Sequence, residues 1–533
     1  MKKLTIENDR RIIFFILSVF SFFCLSSEVP KKKLIVNPEL KYTVSIPDPN
    51  SHLLHVNLFC QGLSMDTILF RMPQWMPGYY QIMNYANDVR NLVAKGKNGE
   101  NLAIKKPDGH SWKIAVKRNT PFSVSYDVKA EKQFVANSYV DSTHAYIIPE
   151  ATFLYIDGRI NTPVSVTVNP LRAWNSIATG LDSVAEKKNS FTAPDFDVLY
   201  DCPLLTGKLE ALNTFEIDGI KHRFIGYNLG NFDRNGFIAK LAKAVRAGIE
   251  IIGEIPYSQY TFIAIGKGFG GIEHLDNSTI SFNGTGIDEK DAMERTLSFL
   301  AHEYFHCYNV KCIRPYELGP FDYSSENRTN MLWVSEGLTV YYEYLILKRA
   351  GLINDQDLLD DFGKEMTTLE NNQGRFFQSL AQAAYETWSD GPFGDRGRNA
   401  GKTISYYNKG PVVGLILDLT IRKATGNKKS LDDVMRLLFT EYYRNKHRGF
   451  TDAEFRQACE YVTGESLARE FEYVYTTKEI DYSYYLSFAG LRISEETNPA
   501  DSKKKISIEK MQTADPGQLE ILSGWMNGNY KPK

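Results

Sequence analysis

The run His302-Glu303-Tyr304-Phe305-His306 constrains this chain more than any other stretch. Met293, Leu297 and Leu300 precede it at helical spacing, so a helix is predicted from about Asp288 through the second histidine. Residues four apart share a helix face, so the two imidazoles point the same way and can hold one Zn²⁺ ion per chain. Glu303 then sits beside the ion rather than on it, where a carboxylate can take a proton from an attacking water.

A zinc site that does chemistry needs a third protein ligand and an open position. Downstream, LWVSEGLTVYYEYL places Glu336 in a second predicted helix that ends near Gly351, and Glu336 is taken as that ligand. Glu343 lies seven residues further on the same face, where it can brace one of the histidines. The bland alternative is a surface helix with two unrelated histidines, and the W-x-x-E-G sequence at this distance weighs against it.

The rest of the chain supplies the frame. Its 533 residues suffice for two to four domains with cores of their own. From about residue 32 to residue 226 short segments alternate apolar and polar side chains, as in HLLHVNLF, FSVSYDVKA and PVSVTVNP, with turn residues between them. That pattern predicts a sandwich-like β domain. After the apolar strand and glycines of YTFIAIGKGFGGIEH the sequence turns strongly helical, with starts of capping-box type such as Thr451-Asp452-Ala453-Glu454. The fold class is multidomain α+β: a leader over 1–27, a β-rich domain over 28–226, a mainly helical zinc-site domain over 227–480 and a C-terminal extension over 481–533. A formal net charge of −2 gives no electrostatic reason to expect a nucleic-acid partner. No feature sets an oligomeric state.

HEYFHCYNVKCIRP followed by WVSEGLTVYY resembles the glycyl-aminopeptidase family, zinc peptidases of the thermolysin-like, Glu-liganded gluzincin clan. The resemblance implies a thermolysin-like catalytic domain, a Zn²⁺ cofactor held by His302, His306 and Glu336, and peptide substrates with a free N-terminus and small first residues. It also implies that Glu273 binds the substrate's α-amine, with Gly270 and Gly271 lining the cleft. In SYYNKGPVV it implies a tyrosine that stabilises the tetrahedral intermediate, Tyr407 aligning best and Tyr406 standing as the alternative. MPQWMPGYY resembles a segment of the family's N-terminal domain, read as packing in preference to substrate contact. YYLSFAGLRI resembles the lead-in to the family's PDZ domain, but the residues from Asp481 onward are too few for a complete one. Tyr308 and Cys312 stand where relatives carry Trp and Arg, and neither change removes a ligand or the base.

Two further readings stay open at this point: a thermolysin-like endopeptidase that uses the same metal without an amine clamp, and an inactive exported binding protein on a peptidase scaffold. Lys2, Lys3, Arg10 and Arg11 before the apolar run Ile12 to Leu25 describe a secretory signal peptide, so the mature protein is expected to be periplasmic or extracellular. The run is too short to span a bilayer, and no stable span is expected after its removal. Cys24 offers a minor alternative, a lipoprotein anchor. The remaining cysteines, Cys60, Cys202, Cys307, Cys312 and Cys459, are odd in number and lack metal-ligand spacing, which argues against a disulfide framework.

Overall fold

Alternation builds the first half. The structure, a computed structural model, describes residues 38–174 and 176–529; the expected leader and Cys24 lie outside them. Strand β1 (Glu39–Ser45) buries Leu40, Tyr42 and Val44, and β2 (Leu53–Gln61) buries Leu54, Val56, Leu58 and Cys60, each turning its polar partners away from the core. β2 pairs antiparallel with β1, Tyr42 opposite Leu58, and with β3 (Phe122–Lys129), Val56 opposite Tyr126. β4 (Val164–Asn169) runs parallel to β1 on its other side. These four are the centre of a seven-stranded sheet, and two four-stranded sheets complete a β-rich half around one core.

The second half opens with a mixed sheet in which β5 (Ile220–Tyr227), β6 (Gln259–Ala264) and β8 (Asn277–Ile280) are parallel. Short β7 (Gly271–Glu273) pairs antiparallel with β8 at the edge. Helix α1 (Arg234–Ile252) connects β5 to β6; the Asp233 side chain caps its start, and Gly253, at φ +90°, ends it. Then come α2 (Lys290–Phe305), α3 (Leu338–Arg349), α4 (Asp355–Asn371) and α5 (Tyr406–Thr425). α2 packs between α1 and α3, and α5 lies across α3 and α4. The capping box expected at Thr451 is present: the Thr451 N–H donates to Glu454 Oε2 at 2.9 Å, and Thr451 Oγ1 accepts the Glu454 N–H at 3.3 Å.

The C-terminal residues are integral to this helical core. A hairpin of Leu491–Thr497 with Lys504–Lys510 docks on α4, where Thr367 Oγ1 accepts the Ile506 N–H at 2.9 Å. From α6 (Pro516–Asn527) Trp525 is fully buried, and its indole N–H donates to Tyr341 Oη at 3.2 Å. No PDZ domain is present among the described residues. None of the described helices is long and apolar enough to cross a membrane.

Candidate active site

The site forms where α2 ends. His302 and His306 emerge on one face of its last turn, with Nε2 atoms 3.0 Å apart. Each imidazole is oriented from behind: His302 Nδ1 lies 2.7 Å from Glu343 Oε2, and His306 Nδ1 lies 2.8 Å from the Asn309 carbonyl oxygen. Glu343 is itself held by Ser298, whose hydroxyl donates to its other oxygen at 3.0 Å. Asn309 in turn donates to the carbonyls of Val334 and Ser335, on the segment that carries Glu336. That segment, Trp333–Gly337, is a single wide π-helical turn leading into α3, where the sequence predicts ordinary helix. It brings Glu336 Oε2 to 3.3 Å from His306 Nε2 and 3.7 Å from His302 Nε2.

This donor set fits a metal ion. With an acceptor behind each Nδ1, the ring proton sits there and both Nε2 lone pairs face each other and a carboxylate. Three electron-rich atoms gathered within 4.8 Å, all buried, need a cation between them. The second Glu336 oxygen, Oε1, is buried without a hydrogen-bond partner, which adds to the demand. Separations of 3.0–3.7 Å match ligands around a tetrahedral ion with bonds of about 2.0–2.2 Å. The site draws positive charge in any form: burial opposes a proton on either imidazole, yet the neighbouring carboxylates raise both histidines above their ordinary range. Burial likewise opposes ionising Glu336, and the two histidines outweigh it.

Around this cluster stand the other predicted residues. Glu303 is 5% exposed, and burial pushes its carboxyl up to about 8 against the pull of both histidines. β7 runs beside it so closely that a Cβ on Gly271 would lie 2.5 Å from the Glu303 carboxyl carbon. Glu273, at the end of β7, is 4% exposed and leaves Oε1 without a partner. Tyr407, at the start of α5, donates its hydroxyl to Glu336 Oε2 at 2.9 Å, whereas the Tyr406 hydroxyl meets Thr387 Oγ1 at 3.0 Å. Tyr407 is thus the tyrosine of the pair that reaches the cluster. Gly270 and Gly271 line a cleft of about 740 Å³ together with His302, Glu303 and Tyr407.

The MPQWMPGYY segment does more than the packing expected of it. Trp75 is fully buried against Tyr80 and Trp388, as a packing role requires. The following residues, Gly78 to Gln81, line the cleft, and a Cβ on Gly78 would lie 2.6 Å from Glu273 Oε2. The sequence carried a signal for this, since a glycine between rigid proline and aromatic residues marks a close approach of backbone to a site.

Family models match on both sides of this geometry. The Peptidase M61 N-terminal domain model covers residues 41–208, and the M61 glycyl aminopeptidase model covers residues 295–413, which includes both histidines, Glu336 and Tyr407. The chain belongs to the M61 peptidase family. Among solved structures, an aminopeptidase N family protein from Idiomarina loihiensis is 26% identical, with a TM-score of 0.80 over 86% of this chain and 79% of that one. An M1 zinc metallopeptidase variant from Deinococcus radiodurans, bound to a Tyr-Ser-Ala substrate, is 13% identical, with a TM-score of 0.52 over 83% of this chain and 95% of that one. The second likeness is one of fold. No curated protein matches the chain. This M61 member therefore has a peptidase architecture with a β-rich half ahead of a helical half, and its candidate metal ligands fall within the matched catalytic segment.

Proposed function

We propose that this protein is an exported zinc aminopeptidase that removes small N-terminal residues from peptides. The observation that carries the reading is Glu273: a buried carboxylate with an unpartnered oxygen, standing beside Glu303 and the histidine–glutamate cluster. A buried carboxylate without a bonding partner invites a cation, and the ammonium group of a peptide N-terminus is the cation that such a cleft would admit. Gly78 closes over the same carboxylate, in keeping with a small first residue. The basic and apolar leader of residues 1–27 supports export.

His302, His306 and Glu336 would hold the zinc ion, which in such a donor set acts as a Lewis acid that acidifies water and polarises a carbonyl. Glu303 then holds the proton that water gives up as it attacks the scissile carbonyl, and delivers it to the leaving amine. Burial raises the Glu303 carboxyl, and the charge of a bound zinc ion would pull it back towards the carboxylate that a base requires. Tyr407 directs a hydroxyl at the edge of the cluster, where the substrate oxygen gains negative charge. Glu343 and the Asn309 carbonyl keep the imidazole protons on Nδ1. Glu273 anchors the ammonium group and so sets the cut one residue from the N-terminus.

The test compares glycyl and alanyl anilides with their N-acetylated forms, using zinc-loaded protein and a Glu303→Gln variant. Cleavage only of the free amines, lost in the variant, is expected. Equal cleavage of the acetylated forms would remove the amine clamp and leave an endopeptidase.

A further inference from the structure

Next to Glu273 lies a group of charged residues that the reaction above does not use. Lys311 Nζ donates to Asp201 Oδ1 at 2.8 Å, with side chains only 9% and 22% exposed. The same oxygen lies 3.1 Å from His274 Nδ1, and Oδ2 accepts the Leu275 N–H at 2.8 Å. His274 and Leu275 directly follow Glu273, while Lys311 follows the turn whose Asn309 carbonyl orients His306. Asp201, from the β-rich half, thus ties the strand that carries Glu273 to the loop behind the metal ligands. That loop is strained: Val310, a β-branched residue, sits at φ +144°.

The partner chosen by Lys311 gives the cluster a purpose. Lys311 lies in the field of Glu273 and Glu150 as well as that of Asp201. Glu150 is 1% exposed, and burial pushes its carboxyl up; burial also pushes the His274 imidazole down against the pull of Asp201, and its Nε2 is unpartnered. Lys311 is thus held by Asp201 while it lies in the field of a second carboxylate, Glu273, whose Oε1 is buried without a partner. A flexible lysine near a buried carboxylate pairs with it unless another partner holds it. Such pairing would cancel the attraction that Glu273 offers an incoming ammonium group.

We propose that Asp201 is a positioning residue: it holds Lys311 away from Glu273 and so reserves that carboxylate for the substrate's ammonium group. The inference rests on the reading of Glu273 as the amine site. It makes the β-rich half a contributor to substrate affinity through charge as well as through the cleft wall.

Calorimetric binding of glycinamide to the full zinc-loaded protein tests this apart from turnover. Asp201→Asn frees Lys311 to neutralise Glu273, and the affinity is expected to fall about tenfold or more. Adding Lys311→Met to that variant removes the competing cation, and affinity should return to within about threefold of wild type. A purely structural role for Asp201 would leave the double variant no better than the single one, and that result overturns the proposal. Lys311→Met alone keeps the bonds of Asp201 to His274 and Leu275, so it carries the test even if Asp201→Asn fails to fold. Its affinity should equal or exceed that of wild type, and a loss of about tenfold would overturn the idea. Wild-type protein that fails to bind glycinamide overturns it too. Wild-type protein that binds glycinamide with the expected variant pattern, yet cleaves no free-amine anilide, refutes the proposed reaction and supports the charge arrangement.

Discussion

Tyr407 concentrates the chemistry of the site into one hydroxyl. Its proton goes to Glu336 Oε2, a proposed ligand oxygen, so the group is already aimed at the place where negative charge would develop. Removal of a single such donor costs on the order of 10²–10³ in kcat. Tyr407→Phe should therefore lose kcat by about that much with KM for a glycyl anilide changed little. A variant with wild-type kcat would take Tyr407 out of the mechanism. A second residue-scale prediction concerns Asp276, next to Asn277 on the edge of β8. Burial raises its carboxyl to about 7, against a bond from the Asn277 side-chain amide at 2.8 Å. A folded-state pKa raised above the unfolded value near 3.9 gives a contribution fully present below that value and lost as pH rises through 7. Asp276→Asn should accordingly be more stable than wild type at pH 8, by on the order of 1–4 kcal/mol, and the advantage should shrink towards pH 4. Urea midpoints at the two pH values measure it, and a pH-independent difference would refute it. Residues of the candidate metal site were legible in sequence because helical spacing alone places His302, Glu303 and His306. Asp201 and Lys311 were not, since 110 positions separate them and only the folded chain brings them together.

Elements deliver these residues through close crossings. The π-helical turn and α5 approach so tightly that a Cβ on Gly410 would lie 2.6 Å from the Gly337 Cα and 3.2 Å from the Trp333 carbonyl oxygen. Backbone meets backbone there, so nothing flexible can move aside. Gly410→Ala would force the elements apart at a cost of about 1–3 kcal/mol and draw Tyr407, one turn earlier on α5, away from Glu336. Activity should fall further than stability: a melting-temperature drop of a few degrees together with a kcat loss of at least about tenfold is expected. Full activity in that variant would show that the crossing does not set the Tyr407 position. The apolar pattern of LWVSEGLTVYYEYL revealed a helix but not its widened turn, because every residue of Trp333–Gly337 is buried, so no alternation of buried and exposed positions marks the inserted residue. The same limit applies to MPQWMPGYY. Its prolines and aromatics announced a rigid turn, and only the tertiary contact with Glu273 turns that segment into a cleft wall.

The two halves share their cores. Trp75 and Tyr80, from the β-rich half, pack within the helical core, while Ile263, Ile272 and Tyr323, from the second half, pack within the β core. Trp75 is the strongest of these links: fully buried, edge-on to Trp388 at 5.1 Å and to Phe321 at 5.7 Å, with its indole N–H donated to the Asp322 carbonyl at 2.8 Å. An alternating strand pattern reports that one face is buried, but not which neighbour buries it, so this interlocking had no signature along the chain. It has a consequence for unfolding. Trp75→Ala should remove about 3–5 kcal/mol, and the loss should fall on the whole molecule because the cavity opens between the two cores. Urea unfolding followed by pulsed hydrogen exchange, with peptides from each half weighed by mass spectrometry, monitors the halves separately. Wild type should give coincident curves, and Trp75→Ala should shift both to lower urea together. Separate transitions in the wild type would show the halves to be independent. Coincident curves would tie the cleft, built from Gly78 to Gln81 on one side and α2 and α5 on the other, to a single cooperative fold.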